Sequence, residues 1–312
     1  MKTAILALAL VSAILPLTTS ALGQTPMPVI PPTGLAHTPD VDLAYWVYGE
    51  PNTSATPVFA VNGGPGLSHI YMVQNDTWLR ISAHRQVIFY DQRGEGASHL
   101  TNPDASQSMD AQVADLDTIR EHLHFNKIDL CGDSFGGLLV IAYAAAHPEH
   151  VHKLIISDGL PSRKAIVHLF PQVYPDKMEA FAAAERASVH TRAQDAAKQA
   201  LIDHFRMLFY DQAKLDHYLA NVHDIGFSPA TGNAVDKAIA DLDLTPALSK
   251  FNFPVLVITG RFDMNVAPLT AWRMYKAIPG SKFEVFEKSG HLPSYEEPDK
   301  YVSMVGDFLG RN

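Results

Sequence analysis

The residue best placed for covalent chemistry is a serine between two glycines. The segment GDSFG at residues 132–136 follows an apolar run and directly precedes a helical pattern of small and apolar residues. Glycines at such a strand-to-helix turn permit a strained backbone that exposes the serine hydroxyl at a helix N-terminus, where negative charge is favoured. The context predicts that Ser134 is a nucleophile; an ordinary turn is the other interpretation of the same residues.

A serine hydroxyl is a weak nucleophile, so it needs a base and an acid that orients the base. In hydrolases with the G-x-S-x-G pattern, the acid and then the histidine follow the serine along the chain. Asp263 follows one apolar run, and His291 follows the last one, before a C-terminal helical pattern. We therefore predict a triad of Ser134, Asp263 and His291. Asp158, which ends another apolar run, is the alternative acid.

Acyl transfer also needs hydrogen-bond donors for the oxyanion that forms on the substrate carbonyl. The backbone N–H of Phe135, directly after the serine, is one predicted donor. The second is the N–H of Gly64, because residues 62–66 read NGGPG after an early apolar run and glycines let the backbone approach a substrate closely. These residues predict two-step acyl transfer through an acyl-enzyme that water then hydrolyses.

Short apolar runs, several of them β-branched, alternate with helical patterns along most of the chain. Because the later runs are apolar throughout, they are typical of parallel strands covered on both faces. The alternation predicts an α/β fold with a mostly parallel central sheet flanked by helices. The predicted strands span residues 43–48, 58–61, 87–90, 128–131, 154–157, 255–259 and 283–286.

The alternation stops between residues 160 and 250, where the sequence shows only helical patterns. We interpret this segment as a helical cap inserted into the sheet domain. The core domain then comprises residues 40–159 and 251–312.

The N-terminus carries a predicted export signal. Residues 1–23 contain a lysine at position 2, an apolar run over 4–15 and small residues before Gln24, as in a cleaved secretory signal peptide. The apolar run is shorter than the roughly 20 residues of a membrane span, which disfavours the alternative of an uncleaved anchor. Residues 24–39 are proline-rich and predict an extended lead-in. We expect export to the periplasm or the extracellular space, without stable membrane association.

Composition excludes several classes of partner. The net charge is −9, and no block of basic residues provides the phosphate-binding surface that nucleic acid requires. The single cysteine, Cys131, cannot form an internal disulfide, and its apolar surroundings predict a small buried side chain. The expected partner is a small peptide, amide or ester substrate, and the oligomeric state stays open.

The chain resembles α/β-hydrolases of the proline iminopeptidase type over residues 40–312. The resemblance is carried by GGPG at residues 63–66, DQRGEGAS at 91–98, the turn around Ser134, and the segments with Asp263 and His291. It implies an α/β-hydrolase fold with a helical cap. It also implies release of an N-terminal residue, often proline, from peptides or amides, without a metal ion or other cofactor.

Three positions depart from that family's pattern. Asn62 stands where the family usually has histidine, residues 226–233 lack the family's glutamate, and Met264 follows the predicted acid where glutamate is frequent. Since a buried ammonium group needs a paired carboxylate, an esterase or other acyl hydrolase without free-amine recognition is the alternative function. A catalytically inactive binding protein is a third, which the complete predicted triad disfavours. Carboxylates of the cap that could pair with a substrate amine are Glu179, Asp224, Asp236 and Asp241.

Overall fold

A computed structural model describes residues 30–51, 54–167, 169–179, 193–221 and 226–310. The predicted signal peptide, residues 1–23, and the first part of the predicted lead-in lie outside the described residues. Among the described helices, none combines the length and the apolar character that a membrane span requires.

Nine strands in the described residues form one sheet in the order β1-β2-β4-β3-β6-β7-β8-β9, and β5 pairs with β2. Strand β2 pairs antiparallel with β1, β4 and β5, and the other pairs of strands are parallel. The strands are β1 Gly34–His37, β2 Val41–Tyr48, β3 Val58–Val61, β4 Val87–Tyr90, β5 His99–Leu100, β6 Ile128–Asp133, β7 Val151–Ser157, β8 Val255–Gly260 and β9 Lys282–Phe286.

The predicted α/β class and the seven predicted strand runs are confirmed, since each run lies within a strand. Every residue of β3, β4, β6 and β8 is buried. Helices cover both faces of a parallel sheet, so such strands are largely apolar, although β6 also contains the buried Asp129 and Asp133. The core therefore consists of two apolar clusters, one on each side of the sheet.

Strand β1 corrects one prediction. Residues 34–37 lie in the segment interpreted as an extended lead-in outside the core, yet they form an edge strand and Ala36 is fully buried. The strand is held by antiparallel pairing, in which Ala36 lies opposite Leu43 of β2. A four-residue strand after a proline-rich segment carries too short a pattern to be recognised before its partner is known.

Helices flank the sheet, and the described part of the chain contains two short 3-10 helices, at His69–Val73 and Pro148–His150. The α-helices are α1 Thr77–Ser82, α2 Met109–His122, α3 Phe135–Ala146, α4 Phe170–Val173, α5 Ala193–Leu208, α6 Gln212–Asn221, α7 Pro229–Ala238, α8 Thr245–Leu248, α9 Pro268–Ala277, α10 Pro293–Glu296 and α11 Pro298–Leu309.

The segment between β7 and β8 is helical where the structure describes it. It contains α4 to α8 and a single isolated bridge between Ser162 and Asp243. Its second half rests on the loop that carries the predicted oxyanion donor, because the Ser228 N–H donates to the Gly66 carbonyl at 2.7 Å. The limits of a separate cap domain, residues 160–250, stay a prediction.

Parallel register places the ends of the central strands at one edge of the sheet. Asp133 of β6 lies opposite Ser157 of β7, and Ser157 lies opposite Ile258 of β8. The residues that follow these strands consequently leave the sheet side by side. The residues predicted to do chemistry follow β3, β6, β8 and β9 in the chain, and β9 pairs in parallel with β8.

Candidate active site

Ser134 occupies the sharp turn between β6 and α3. Its φ of 55° and ψ of −118° are strained for a residue with a side chain. The turn fits because Gly136 has no side chain: a methyl group there would overlap the carbonyl oxygens of Val61 and Asn62. The packed strand and helix thus hold the serine hydroxyl above the sheet edge, as the glycine spacing predicts.

The structure brings Ser134, His291 and Asp263 together. His291 Nε2 lies 2.9 Å from Ser134 Oγ, and His291 Nδ1 lies 2.7 Å from Asp263 Oδ2. Because a carboxylate only accepts hydrogen bonds, Nδ1 carries the proton and Nε2 is the acceptor for the serine hydroxyl. The other oxygen of Asp263, Oδ1, accepts hydrogen bonds from the N–H groups of Asn265 at 2.8 Å and Val266 at 2.9 Å in the same loop.

The surroundings make His291 a stronger base than usual. Burial by itself would lower the pKa of His291, but the charge and hydrogen bond of Asp263, with the charge of Asp133, raise the pKa above its ordinary value. Asp133 is itself buried beside the turn, and burial raises its pKa to about 6. A basic imidazole in contact with a serine hydroxyl is suited to removing the hydroxyl proton.

The loop that carries His291 is fixed by Glu296, a residue that sequence reasoning missed. The buried Glu296 carboxylate accepts the N–H of Gly290 at 2.6 Å and the N–H groups of Tyr210 and Asp211 at 2.9 and 2.8 Å. Burial raises the pKa of Glu296 to about 7. One carboxylate therefore joins the histidine loop to the segment between α5 and α6. No motif marks it, because its partners are distant in sequence.

Both predicted oxyanion donors belong to elements beside Ser134. Phe135 is the first residue of α3, so its N–H has no acceptor within the helix. Gly63, next to Gly64, is packed against the serine, since a methyl group on Gly63 would approach Ser134 Cβ to 2.7 Å. Among the described residues, the Gly64 N–H has no backbone or side-chain acceptor, which leaves it available to a substrate oxygen.

Tyr71 links the glycine loop to the serine turn, and no sequence signal marked it. Its hydroxyl accepts the Gly63 N–H at 2.6 Å and donates to Asp133 Oδ2 at 2.5 Å. Burial and the nearby Asp133 charge raise the pKa of Tyr71 well above its ordinary value, so the phenol stays protonated. Because the Gly63 N–H is occupied in this way, Gly64 is the better-placed donor of the two glycines.

Asn62 and Glu95 hold the other end of the glycine loop. Asn62 Nδ2 donates to the Leu67 carbonyl at 2.5 Å, and Glu95 Oε1 accepts the Gly66 N–H at 2.6 Å. Burial raises the pKa of Glu95 to about 8, although the Gly66 and Asn62 hydrogen bonds oppose this shift. Asn62, at the position where histidine is expected, therefore serves to shape the loop.

The described residues bring ligand-type side chains together at Asp158, Asp263 and His291, where one atom of each lies within 4.8 Å of the others. Both ring nitrogens of His291 already have hydrogen-bond partners, Asp263 and Ser134. A metal ion at this point would have to displace one of those bonds, so the side chains fit a hydrogen-bonded group better than a metal centre.

The cap carboxylates considered as partners for a substrate amine are engaged or exposed where they are described. Asp236 pairs with Arg163 at 3.1 Å and Asp241 pairs with Lys164 at 2.7 Å. Glu179 is exposed, and Asp224 lies outside the described residues. The described cap therefore provides no unpaired, buried carboxylate from this set.

Comparison with known proteins identifies the family of this chain. The family model for the alpha/beta hydrolase fold matches residues 56–298. The chain belongs to the α/β-hydrolase family. It is 28% identical to a proline iminopeptidase from Clostridium botulinum, over 86% of this chain and 94% of that protein. It is 30% identical to a proline iminopeptidase from Lactobacillus delbrueckii subsp. lactis, over 82% of this chain and 91% of that protein.

Structural comparison agrees with the family assignment. An alpha/beta fold family hydrolase from Bacillus anthracis superposes with a TM-score of 0.74 at 23% identity, covering 88% of this chain and 98% of that one. At that identity the likeness concerns the fold. With the sequence relatives, it identifies the chain as a hydrolase that is similar to proline iminopeptidases.

Replacing Glu95 by glutamine tests whether this carboxyl group is neutral in the folded protein. The raised pKa of Glu95 means that its contribution to stability is complete below its unfolded pKa of about 4.5 and is lost as pH rises through 8. Glutamine cannot ionise. We therefore expect the variant to gain stability relative to the parent protein over this range, by up to about 1.4 kcal/mol per pH unit.

Chemical unfolding at a series of pH values measures this difference. Glu50→Gln, at an exposed position, is the control. Its stability should change with pH in parallel with that of the parent protein. If the curves of the Glu95→Gln variant and the parent protein were parallel between pH 4.5 and 8, the carboxyl group would not be neutral in the folded state.

Proposed function

We propose that this chain is a serine hydrolase that works through an acyl-enzyme. The observation that carries the proposal is the continuous hydrogen-bond chain from Ser134 Oγ through the His291 ring to Asp263, at 2.9 and 2.7 Å. A serine, a buried imidazole and a carboxylate in this order activate the hydroxyl as a nucleophile.

The proposed reaction begins when Ser134 Oγ attacks the substrate carbonyl carbon and His291 Nε2 accepts the hydroxyl proton. Asp263 holds the ring and stabilises the imidazolium that forms. The N–H groups of Gly64 and Phe135 bind the oxyanion of the tetrahedral intermediate. His291 then gives the proton to the leaving group, which departs and leaves an ester on Ser134. Water, deprotonated by His291, hydrolyses that ester.

For the substrate, we propose small peptides or amides from which an N-terminal residue is released. The proline iminopeptidases that align over more than four fifths of the chain support this choice. The bond would be cleaved at the carbonyl of the first residue, with that residue held as the acyl group on Ser134.

An esterase, or another acyl hydrolase that needs no free amine, is the second candidate. It is favoured by the cap carboxylates, since Asp236 and Asp241 are paired with basic side chains and Glu179 is exposed. A substrate ammonium group would need a carboxylate partner in a buried pocket. Export of the chain, predicted from residues 1–23, stays a prediction.

Single substitutions test the proposed mechanism. Ser134→Ala removes the nucleophile and His291→Ala removes the base, so each should lower turnover roughly ten-thousandfold or more. Ser303→Ala, on the exposed face of α11, is the matched control and should keep the parental rate. Near-parental turnover in either triad variant, with unchanged folding, would rule out the assignment.

A substrate panel separates the two candidate functions. It compares aminoacyl chromogenic amides, the same amides with acetylated amines, and simple acyl esters. The proposed exopeptidase should cleave the free-amine amides, with proline among the best, and lose at least two orders of magnitude on acetylation. Ester cleavage that is indifferent to a free amine would instead support the second candidate. Turnover of no compound in the panel would refute both.

A further inference from the structure

Asp158 is a buried carboxyl group beside the triad for which the proposed reaction has no role. It follows β7 directly and is fully buried. Its carboxyl lies beside that of Asp263: one oxygen of each lies within 4.8 Å of the other and of a His291 ring nitrogen. Because His291 Nδ1 bonds to Asp263, Asp158 can act on the His291 ring through the Asp263 carboxylate.

The sheet holds Asp158 in this place by its backbone and its side chain. Its φ is 47°, a left-handed conformation that aspartate and asparagine tolerate better than most residues. Its N–H donates to the Ile258 carbonyl at 3.0 Å, and its Oδ1 accepts the Gly260 N–H at 2.8 Å. Both bonds reach across to β8, the strand that precedes Asp263. The contact between the carboxyl groups is therefore built into the sheet.

Two carboxyl groups this close in a buried site cannot both be ionised. Asp263 receives three N–H donors, from Asn265, Val266 and His291, so the charge belongs there. Asp158 receives one backbone N–H and a hydrogen bond of 3.2 Å from the Ser157 hydroxyl. Burial first, and then the neighbouring Asp263 charge, raise the pKa of Asp158 well above its ordinary value.

We propose that Asp158 is a positioning residue: a protonated carboxylic acid whose hydroxyl donates a hydrogen bond to the Asp263 carboxylate. Asp263 then has a fixed donor on the side away from His291, which restrains its orientation toward the ring. A donor to a carboxylate also disperses its charge. Asp158 therefore limits how strongly Asp263 raises the basicity of His291. The effect on turnover rests on the proposed function; the hydrogen bond does not.

Two substitutions distinguish a protonated Asp158 that donates to Asp263 from a charged Asp158 and from a purely structural residue. Asp158→Asn keeps the size and an N–H donor and tolerates the left-handed backbone, so it should fold. Asp158→Gly removes the donor, and glycine accepts the same φ without strain. Neither variant changes a triad residue. The other charged group that faces Asp158 is Asp133 of β6, which both variants retain.

The readout is the ionisation midpoint of the His291 ring, followed by NMR on protein with isotope-labelled histidine and assigned with His291→Ala. It needs no substrate, so it gives an answer even if the proposed hydrolase activity is not found. Asp158→Asn should leave the midpoint unchanged, because the group it replaces is already neutral. Asp158→Gly should raise the midpoint by about one pH unit, because Asp263 loses a donor.

A turnover measurement completes the experiment once a substrate is found. Asp158→Gly should lower kcat by about tenfold with little change in KM, which is the loss expected for one hydrogen bond to a charged group. Asp158→Asn should keep the parental kcat. Two results would overturn the proposal: a lower midpoint in Asp158→Asn, which would mean that Asp158 is charged, or an unchanged midpoint in Asp158→Gly. A purely structural role would lower the unfolding temperature without moving the midpoint.

Discussion

The parallel register of the central strands determines everything that happens at the site. Asp133 of β6, Ser157 of β7 and Ile258 of β8 lie side by side, so the loops that follow emerge at one edge of the sheet. Residues more than a hundred positions apart in the chain thereby meet within hydrogen-bonding distance. A slip of one residue in any pair would turn the side chains of that strand to the opposite face and disrupt their close packing.

The site also has to accommodate several carboxyl groups in a nearly dry environment. Asp133, Asp158 and Asp263 are buried near His291, and Glu95 is buried against the glycine loop. Burial favours the neutral form of a carboxyl group unless charges or N–H donors compensate. Donors converge on Asp263, whereas Glu95 and Asp158 have few of them. The folded chain thus concentrates negative charge on the carboxylate that faces His291, which is where an imidazolium would form during acyl transfer.

The elements that sequence reasoning recovers are those with local signals. Largely apolar runs identify the strands that precede Ser134, Asp263 and His291, because helices cover the faces of a parallel sheet. Strand β1 has no such signal, because four residues become a strand only by pairing with β2. The contacts of Tyr71 and Glu296 join segments far apart in sequence, and neither residue belongs to a motif. Asp158 combines a local signal with a long-range one. Its position after an apolar run suggested an acid for the histidine, but only the pairing of β7 and β8 shows that it faces Asp263.

The proposed mechanism depends above all on Ser134 being an activated nucleophile. Its most direct test is mass spectrometry of proteolytic peptides after reaction of the folded protein with a fluorophosphonate, which forms a stable adduct with an activated serine. We expect a single adduct, on Ser134, that is lost when the protein is unfolded before reaction. An adduct on a different residue, or a folded protein in which Ser134 stays unmodified, would contradict it.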